Sequence, residues 1–227
     1  MWDRKEVKAK GKESFKRSYW KSVIVSIFCM MFFASAGTAY KTNSEDITQQ
    51  LNNLGLSDGE LVAIALIIFG IVSFALFIAT ILDIFVFNPI EFGCSRFFLV
   101  NQDENAEFAE ILHAFKTNYL NTVLAAFLKN LIIIIGFCLF VIPGIILLFS
   151  YRMVPYILAD DPSVGAVEAL KKSRSMMSGQ KWKVFVYDLS YILWYILSGI
   201  TFGLLAIFYV NPWKYNADAA LYKAIKG

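Results

Sequence analysis

The sequence predicts an all-α membrane protein, in which six transmembrane helices form three hairpins and a cytoplasmic amphipathic helix precedes each hairpin. Composition is the first observation, because 58% of the 227 residues are hydrophobic and 16% are aromatic. Soluble domains have about 45–50% apolar residues. The second observation is a set of uncharged runs, each close to the ~20 residues that an α-helix needs to cross the hydrocarbon. These runs cover residues 22–40, 61–82, 130–151 and 189–213.

The third observation is the distribution of basic residues, which predicts the orientation. Eight lysine and arginine residues precede Ser22, and such an excess is typical of the cytoplasmic side. The loop 41–60 has one lysine and four acidic residues, so we place it outside the cell. A single span over 130–151 would put the basic segment 152–183 outside as well. We therefore expect a hairpin there, with both termini on the cytoplasmic side of a bacterial plasma membrane.

Breaks in the apolar regions predict where the later hairpins turn. Pro143 and Gly144 lie in the middle of the region 119–160, and proline interrupts helical hydrogen bonds while glycine permits a tight turn. Gly203 ends the segment SGITFG at the centre of 182–222. Each arm then has about 20 residues and a length of about 30 Å. Re-entrant hairpins, which return from within the membrane, satisfy the same charge distribution, so this alternative stays open.

The ends of the returning helices predict a threefold internal repeat. Pro89, Pro155 and Pro212 each lie four residues after an aromatic residue, near the cytoplasmic end of a predicted helix. We expect these prolines to kink the helices and to free backbone carbonyls, which then need other donors. A polar segment that can form a helix precedes each hairpin. The chain is predicted to be one transmembrane domain, 1–227, with repeat units over 3–100, 101–160 and 161–227.

The segment after residue 160 has the features of a helix on the inner membrane surface. Asp161 and Pro162 suit the N-cap and the first helical position. Lys171, Lys172 and Arg174 flank an apolar stripe, and we expect them to contact anionic lipid, at about 1 kcal/mol for each basic residue. Alternatively, these residues only set the orientation of the chain and have no lipid specificity.

Seven polar residues fall at membrane depth in the six-span arrangement. They are Asp83, Lys129, Asn130, Arg152, Asp188, Asn211 and Lys214. An isolated charge in the membrane is costly, so these side chains need a partner or a wet cavity. One interpretation is a polar cavity open to the cytoplasm that receives a substrate, an ion or a lipid headgroup. The other is internal pairing of Asp83 or Asp188 with Lys129 or Arg152.

The sequence lacks the patterns of an enzyme, a metal site or a cofactor site. His113 is its one histidine, and phosphate-binding glycine loops and zinc-binding helices are absent. Cys29 and Cys138 lie within predicted spans and Cys94 on the inner side, so we expect no structural disulfide. A net charge of +3 without a basic and aromatic platform argues against nucleic acid as a partner.

Several motifs in the second half resemble a family of bacterial integral membrane proteins, Domain of Unknown Function 975. The matching residues are Ile142–Ile145, Ala169, Leu170, Ser173, Met176, Met177, Gly179, Lys181, Trp182, Leu189, Ser190, Trp194 and Pro212, with Trp213 where the family has tyrosine. The resemblance covers about the last 110 residues. It implies a six-span protein of the plasma membrane and no established activity. The Pro-Gly and Ala-Leu-x-x-Ser elements are also distantly similar to the membrane domain of some glycerophosphodiester phosphodiesterases.

Two classes of function follow from these features. The first is a non-enzymatic membrane module, either an accessory or scaffold of the bacterial envelope with a membrane-protein partner, or a protein that interacts with lipid. The alternative is a small transporter or channel that uses the polar cavity, since transporters are often built from repeats. Neutralising Asp188 or Lys129 separates the two, because a transporter loses flux while it still folds and a module loses stability.

Overall fold

The computed structural model describes residues 2–34 and 58–226, which form helices and turns with no strand among them. The α-helices are α1 Arg4–Arg17, α2 Tyr19–Ala34, α3 Asp58–Leu82, α4 Asn88–Val100, α5 His113–Lys116, α6 Tyr119–Leu139, α7 Val141–Ser150, α8 Val154–Asp160, α9 Ala166–Met176, α10 Lys181–Leu189, α11 Ile192–Ile200 and α12 Asn211–Lys226. Two π-helical segments, Asp83–Phe87 and Ala206–Val210, precede α4 and α12, and a 3-10 helix covers Phe108–Leu112. Part of the first predicted span and most of the predicted external loop 41–60 lie outside the described residues.

Four helical stretches of the described chain are long and apolar enough to cross a membrane. They are Val62–Val100, Tyr119–Leu139, Val141–Asp160 and Lys181–Ile200. The prediction of an all-α protein with helices of membrane-spanning length is therefore confirmed, whereas the number of six spans stays a prediction. Within the described residues the first predicted span is a shorter apolar helix, Tyr19–Met30. The sixth predicted span is not among the four stretches, and its helix α12 carries four charged residues and packs in the core.

The α6–α7 hairpin turns at Phe140, so the prediction of a turn at Pro143–Gly144 was wrong. Phe140 has an extended backbone, and its carbonyl accepts the N–H of Gly144 at 3.2 Å. Pro143 lies in the first turn of α7, where a backbone N–H has no helical partner and its loss costs little. Gly144 serves close packing instead, because a Cβ atom there would lie 2.5 Å from the ring of Phe137.

The chain also turns within Ser198–Gly203, between α11 and the second π-helical segment. Phe202 and Gly203 have left-handed backbones, with φ of 52° and 84°. Glycine adopts this conformation without the steric penalty of a side chain. The N–H of Gly203 donates to the carbonyl of Ser198 at 2.8 Å, which closes the turn.

Each of the three prolines assigned to returning helices follows an irregular segment. Pro89 and Pro212 are each the second residue after a π-helical segment, and Pro155 is the second residue after a turn at residues 151–153. Pro89 has no N–H for the carbonyl of Phe85, four residues earlier. The hydroxyl of Tyr119 donates to that carbonyl at 2.6 Å. The hydroxyl on α6 thus replaces the donor that proline removes, while the threefold repeat itself stays a prediction.

In the core, helices from the two ends of the described chain, α1 and α12, pack against each other. Helices α1 and α12 run side by side in the same direction, and Gly11 permits their approach, since a Cβ atom there would lie 2.4 Å from Cα of Ala217. Asn101 and Asn216 are fully buried, and the Nδ2 of Asn101 donates to the Oδ1 of Asn216 at 2.7 Å. Ser18 donates to Asn101 at 2.6 Å, so this polar network also includes the residue between α1 and α2.

Helix α9 begins at Ala166, five residues after the predicted N-cap at Asp161. The Oδ1 of Asp161 instead accepts the backbone N–H of Ser163 at 3.0 Å, which forms a local turn that competes with helix initiation. Ala169, Leu170 and Ser173 on α9 are buried. The helix contacts α6, α7 and α8. Most of its buried face therefore packs against protein rather than against lipid.

Candidate functional site

Four charged side chains from α10, α12 and the turn after α7 form one ion cluster, which we call the inner cluster. Its members are Arg152, Asp188, Lys214 and Asp218. Arg152 Nη2 lies 3.1 Å from Asp188 Oδ1 and 2.9 Å from Asp218 Oδ1, and Arg152 Nη1 also contacts Asp188. Lys214 Nζ lies 2.9 Å from Asp188 Oδ1 and 3.0 Å from Asp218 Oδ2. The hydroxyl of Tyr187 donates to Asp218 Oδ1 at 3.0 Å. Each cation contacts both carboxylates.

Local sequence explains how the inner cluster assembles. Arg152 lies in the irregular turn before Pro155, and from there its guanidinium contacts Asp218 on α12. Lys214 and Asp218 are one turn apart on α12, at the i,i+4 spacing that places two side chains on one face. Asp188 comes at the end of α10.

The inner cluster is electrically neutral and largely buried. Its side chains are 13–28% exposed. Two positive and two negative charges cancel, which meets the requirement that charges removed from water be paired and hydrogen-bonded. Removing one member would leave an excess charge in this environment. The cluster therefore connects α10, α12 and the turn after α7, which are distant in sequence.

A second ion pair lies between α4 and α6. Lys129 Nζ lies 3.0 Å from both carboxylate oxygens of Glu91, and Lys129 is only 8% exposed. Asn130, the next residue on α6, donates to the Oδ1 of Asn88 at 3.1 Å. Asn88 in turn donates to Asp83 at 3.5 Å. This polar group surrounds the Asn88-Pro89 element at the start of α4.

The structure separates the seven predicted polar residues into groups. Arg152, Asp188 and Lys214 come together in the inner cluster, which includes the predicted pairing of Asp188 with Arg152. Lys129 and Asn130 belong to the second group, while Asp83 forms no ion pair among the described residues. Asn211 stands apart, where its Oδ1 accepts the hydroxyl of Tyr195 at 2.9 Å and its Nδ2 contacts the sulfur of Met30.

Sequence reasoning missed two carboxylates, Glu91 and Asp218. Both lie outside the long uncharged runs and follow the prolines near the cytoplasmic ends of predicted helices. A usable signal was the i,i+4 spacing of Asp218 from Lys214. No comparable signal pointed to Glu91, because its partner Lys129 is 38 residues away in the chain.

A cavity of about 280 Å³ lies between the two ion groups. Its lining residues are Cys29, Glu91, Cys94, Ser95, Phe98, Arg152, Pro155, Tyr156, Tyr215 and Asp218. Carboxylates face it from both sides and one guanidinium from one side, so its wall has polar groups of both signs. The charged groups of that wall already pair with protein groups. The cavity suits water or a small polar molecule better than a free ion of either sign.

The described residues do not place three or more His, Cys, Asp or Glu side chains together as a metal site. Cys29 and Cys94 are free thiols on the cavity wall, and Cys138 is a free and exposed thiol. His113 lies in the short helix α5, and its Nε2 is buried without a hydrogen-bond partner in the described part of the chain.

The three basic residues assigned to lipid contact behave differently from the buried ions. Lys171, Lys172 and Arg174 are exposed on α9, and none forms an ion pair or a side-chain hydrogen bond with another described residue. Lys181 and Lys183, at the start of α10, are half-buried and likewise have no ion partner in the described ranges. These positive charges remain available to an external anion.

A family model described as Protein of unknown function (DUF975) matches residues 131–227. The match covers a little less than half of the chain and supports the DUF975 family for this part. The resemblance inferred from the motifs is thereby confirmed. The DUF975 segment contains the whole inner cluster, whereas Glu91 and Lys129 precede it. No curated protein and no solved structure matches the chain, and the distant likeness to glycerophosphodiester phosphodiesterases stays a prediction.

Proposed function

We propose that this protein is a non-enzymatic, multi-pass module of the bacterial plasma membrane that binds anionic lipid at its cytoplasmic face. In this role it serves as an accessory or scaffold for a membrane-protein partner, with both of its own termini in the cytoplasm. The observation that carries the proposal is the set of exposed and unpaired basic residues on α9, Lys171, Lys172 and Arg174. Anionic lipid attracts such residues at the inner surface.

The lipid proposal is tested on protein purified in mild detergent and incubated with equal amounts of phosphatidylglycerol and phosphatidylcholine. Native mass spectrometry then counts the retained lipids. We expect the wild-type protein to retain more phosphatidylglycerol, and a variant with Lys171→Gln, Lys172→Gln and Arg174→Gln to retain less of it. Equal retention of the two lipids by the wild type would refute the proposal.

The positions of the buried charges bear on the topology that we propose. Helix α6 as a whole has 21 residues, enough to cross a membrane. Only about ten of them separate the buried ammonium of Lys129 from the turn at Phe140, which is about 15 Å of helix and half the thickness of the hydrocarbon. The tips are apolar, since Phe140 is 74% exposed and Phe202 is 97% exposed. These lengths and exposures support re-entrant hairpins that end inside the membrane, the alternative that the charge distribution left open.

Thiol labelling of intact cells tests this topology. The exposed Cys138 lies beside the first tip, while Cys29 and Cys94 are buried. We expect an impermeant maleimide to label Gly59→Cys, near the start of α3, and to leave Cys138 and Phe140→Cys unlabelled until detergent is added. Labelling of Phe140→Cys from outside would show that the hairpin crosses the whole membrane.

The cavity of about 280 Å³ favours a second function, a small transporter or channel. In that case its polar wall carries a small solute, and Asp188→Asn or Lys129→Gln abolishes flux in reconstituted vesicles while the protein still folds. The scaffold function instead predicts that the same substitutions lower the unfolding temperature and that a partner protein co-purifies with the wild type. Flux of a tracer solute and unfolding temperature, measured on the same samples, separate the two.

A further inference from the structure

The start of α10 carries an apolar groove of a kind that suits a hydrocarbon chain. Its volume is about 220 Å³, and it is lined by Ile145, Ile146 and Phe149 of α7 and by Lys181, Trp182 and Phe185 of α10. Trp182 is 73% exposed and stacks on Phe185 at a ring separation of 5.3 Å. Beyond the groove, exposed apolar residues of α7 continue to the hairpin tip. A chain lying here would extend toward the hydrocarbon.

A more polar cavity adjoins the groove on the other side of Trp182. It measures about 320 Å³ and is lined by Trp2, Asp3, Arg4, Trp182, Lys183 and Val186. Arg4 is exposed and Lys183 half-buried, and in the described parts of the chain neither forms an ion pair. Asp3 also lines the cavity, but its Oδ1 accepts the backbone N–H of Lys5 at 3.0 Å as the cap of α1.

The apolar groove and the polar cavity lie at a defined distance from each other because α1 contacts α10. The Nε1 of Trp2 donates to Oε1 of Gln180 at 3.0 Å, and the rings of Trp2 and Tyr187 meet edge to face with centroids 6.4 Å apart. These contacts hold Arg4 beside the first turn of α10. The polar cavity is therefore built by two helices that are far apart in sequence rather than by one flexible loop.

The geometry points to a discrete site for one anionic phospholipid, whose phosphate lies between Arg4 and Lys183 and whose acyl chain lies in the groove beside Trp182. The site rests on the proposed lipid function and makes it specific. Two unpaired cations complement the charge of a phosphate, while the α7–α10 groove offers only apolar contact and the stem of Lys181. Tryptophan is typical of positions where a headgroup meets hydrocarbon. A zwitterionic phospholipid fits the groove, but its headgroup brings a positive group into the polar cavity beside Arg4 and Lys183, which weakens its binding.

Fluorescence quenching tests the site on the full chain in detergent. The probes are phosphatidylglycerol and phosphatidylcholine that carry bromine atoms in one acyl chain, and Trp182→Phe isolates the contribution of Trp182 to the signal. We expect brominated phosphatidylglycerol to quench Trp182 in the wild type at about one tenth of the concentration that brominated phosphatidylcholine needs, since two basic residues supply the difference.

Three variants assign the two halves of the site. Arg4→Gln with Lys183→Gln should remove the preference for phosphatidylglycerol, and Ile146→Phe should fill part of the groove and reduce quenching by both lipids without adding a tryptophan. Lys171→Gln with Lys172→Gln removes the same charge from α9 and should leave the quenching of Trp182 unchanged. As a control for folding, the unfolding temperature of each variant, or its helix content by circular dichroism, must equal that of the wild type.

The outcomes distinguish this site from the general lipid function. Quenching of Trp182 that is equal for the two lipids, or that falls equally with the α9 pair, would overturn the site. If the protein still retains an excess of phosphatidylglycerol in that case, the lipid function stands and only the location is wrong. If the wild type shows neither the excess nor the quenching, both proposals are wrong.

Discussion

The inner cluster and the basic face of α9, formed by Lys171, Lys172 and Arg174, both contain lysine and arginine but hold them in opposite environments. In the inner cluster, Arg152 and Lys214 each contact two carboxylates, and the four charges cancel in an environment that is less than one third exposed. On α9, Lys171 and Lys172 are exposed and have no carboxylate within ion-pair distance in the described chain. Burial therefore goes with internal neutralisation, and exposure goes with charge that is free to meet an external anion.

The largest expected effect comes from unbalancing the inner cluster. Asp218→Asn leaves two cations with one carboxylate and replaces the charged acceptor of the Tyr187 hydroxyl by a weaker, neutral amide oxygen. We expect a loss of about 3–5 kcal/mol in the free energy of unfolding, because a buried charge then lacks its partner. Thermal unfolding in detergent measures it. The control is Asp103→Asn, whose pair with Lys223 is exposed and should contribute less than about 1 kcal/mol. Equal losses in the two variants would contradict the structural role of the cluster.

The pair of Glu91 with Lys129 should give a smaller effect that can be rescued. Glu91→Gln leaves the buried ammonium of Lys129 with weaker acceptors, so we expect a loss of about 2–3 kcal/mol. Adding Lys129→Met removes the unpaired charge and should recover part of that loss. Denaturant unfolding of both single variants and of the double variant measures the coupling. A double variant that is as unstable as the sum of the singles would show that the two side chains do not interact.

On the exposed side of the comparison, stability should hardly change. Replacing Lys171, Lys172 and Arg174 by glutamine removes three exposed charges without partners, so we expect a change within about 0.5 kcal/mol in the absence of lipid. The same thermal unfolding experiment measures it beside Asp218→Asn. A loss of more than 2 kcal/mol would mean that these residues have a structural role that the described contacts do not contain.

Lys8 lies between the two cases, because it is half-buried but has no ion pair in the described ranges. We expect it to have the smallest effect on the free energy of unfolding. Its Nζ lies 3.1 Å from the Oγ of Ser190 and 4.2 Å from the ring centre of Tyr191, with no carboxylate partner in the described ranges. Burial, and then the charges of Arg4 and Lys214, lower the pKa of Lys8 below its ordinary value of 10.5. The unfolded chain then binds the proton more tightly.

The free energy of unfolding should therefore rise with pH between the lowered pKa of Lys8 and 10.5. Lys8→Met removes the group, so the difference between wild type and variant should shrink or reverse across that window. Unfolding curves of the two proteins at several alkaline pH values measure the slope. An identical pH dependence of both proteins would exclude Lys8 as its source.

The sequence was sufficient for the features that depend on composition and local spacing. The apolar runs predicted helices of membrane-spanning length. The requirement for charge neutralisation gave internal pairing as one of two interpretations, and of the candidate pairs the structure contains Asp188 with Arg152. The turn was misplaced because Pro143 is equally compatible with the first turn of a helix, and only the packing of Gly144 on Phe137 decides between the two. Glu91 was missed because its partner is distant in the chain.

The start of α9 shows the same limit at a local scale. Asp161 is a good N-cap residue by type, but its carboxylate already bonds to Ser163 in a tight turn, and the helix begins only at Ala166. The position of α9 against α6 and α8 then determines which side chains are buried. Such competition between a local turn and a helix start depends on tertiary contacts that one sequence does not reveal.

The most direct test measures unfolding temperature with and without added phosphatidylglycerol for three proteins: the wild type, Asp218→Asn, and a variant in which Arg4, Lys171, Lys172, Arg174 and Lys183 are all glutamine. Binding to the folded state alone raises the unfolding temperature. We predict that Asp218→Asn unfolds at a lower temperature but keeps the lipid-induced rise, while the glutamine variant keeps the wild-type temperature and loses the rise. A full rise in the glutamine variant, or an unchanged temperature in Asp218→Asn, would contradict the division between structural and lipid-binding charges.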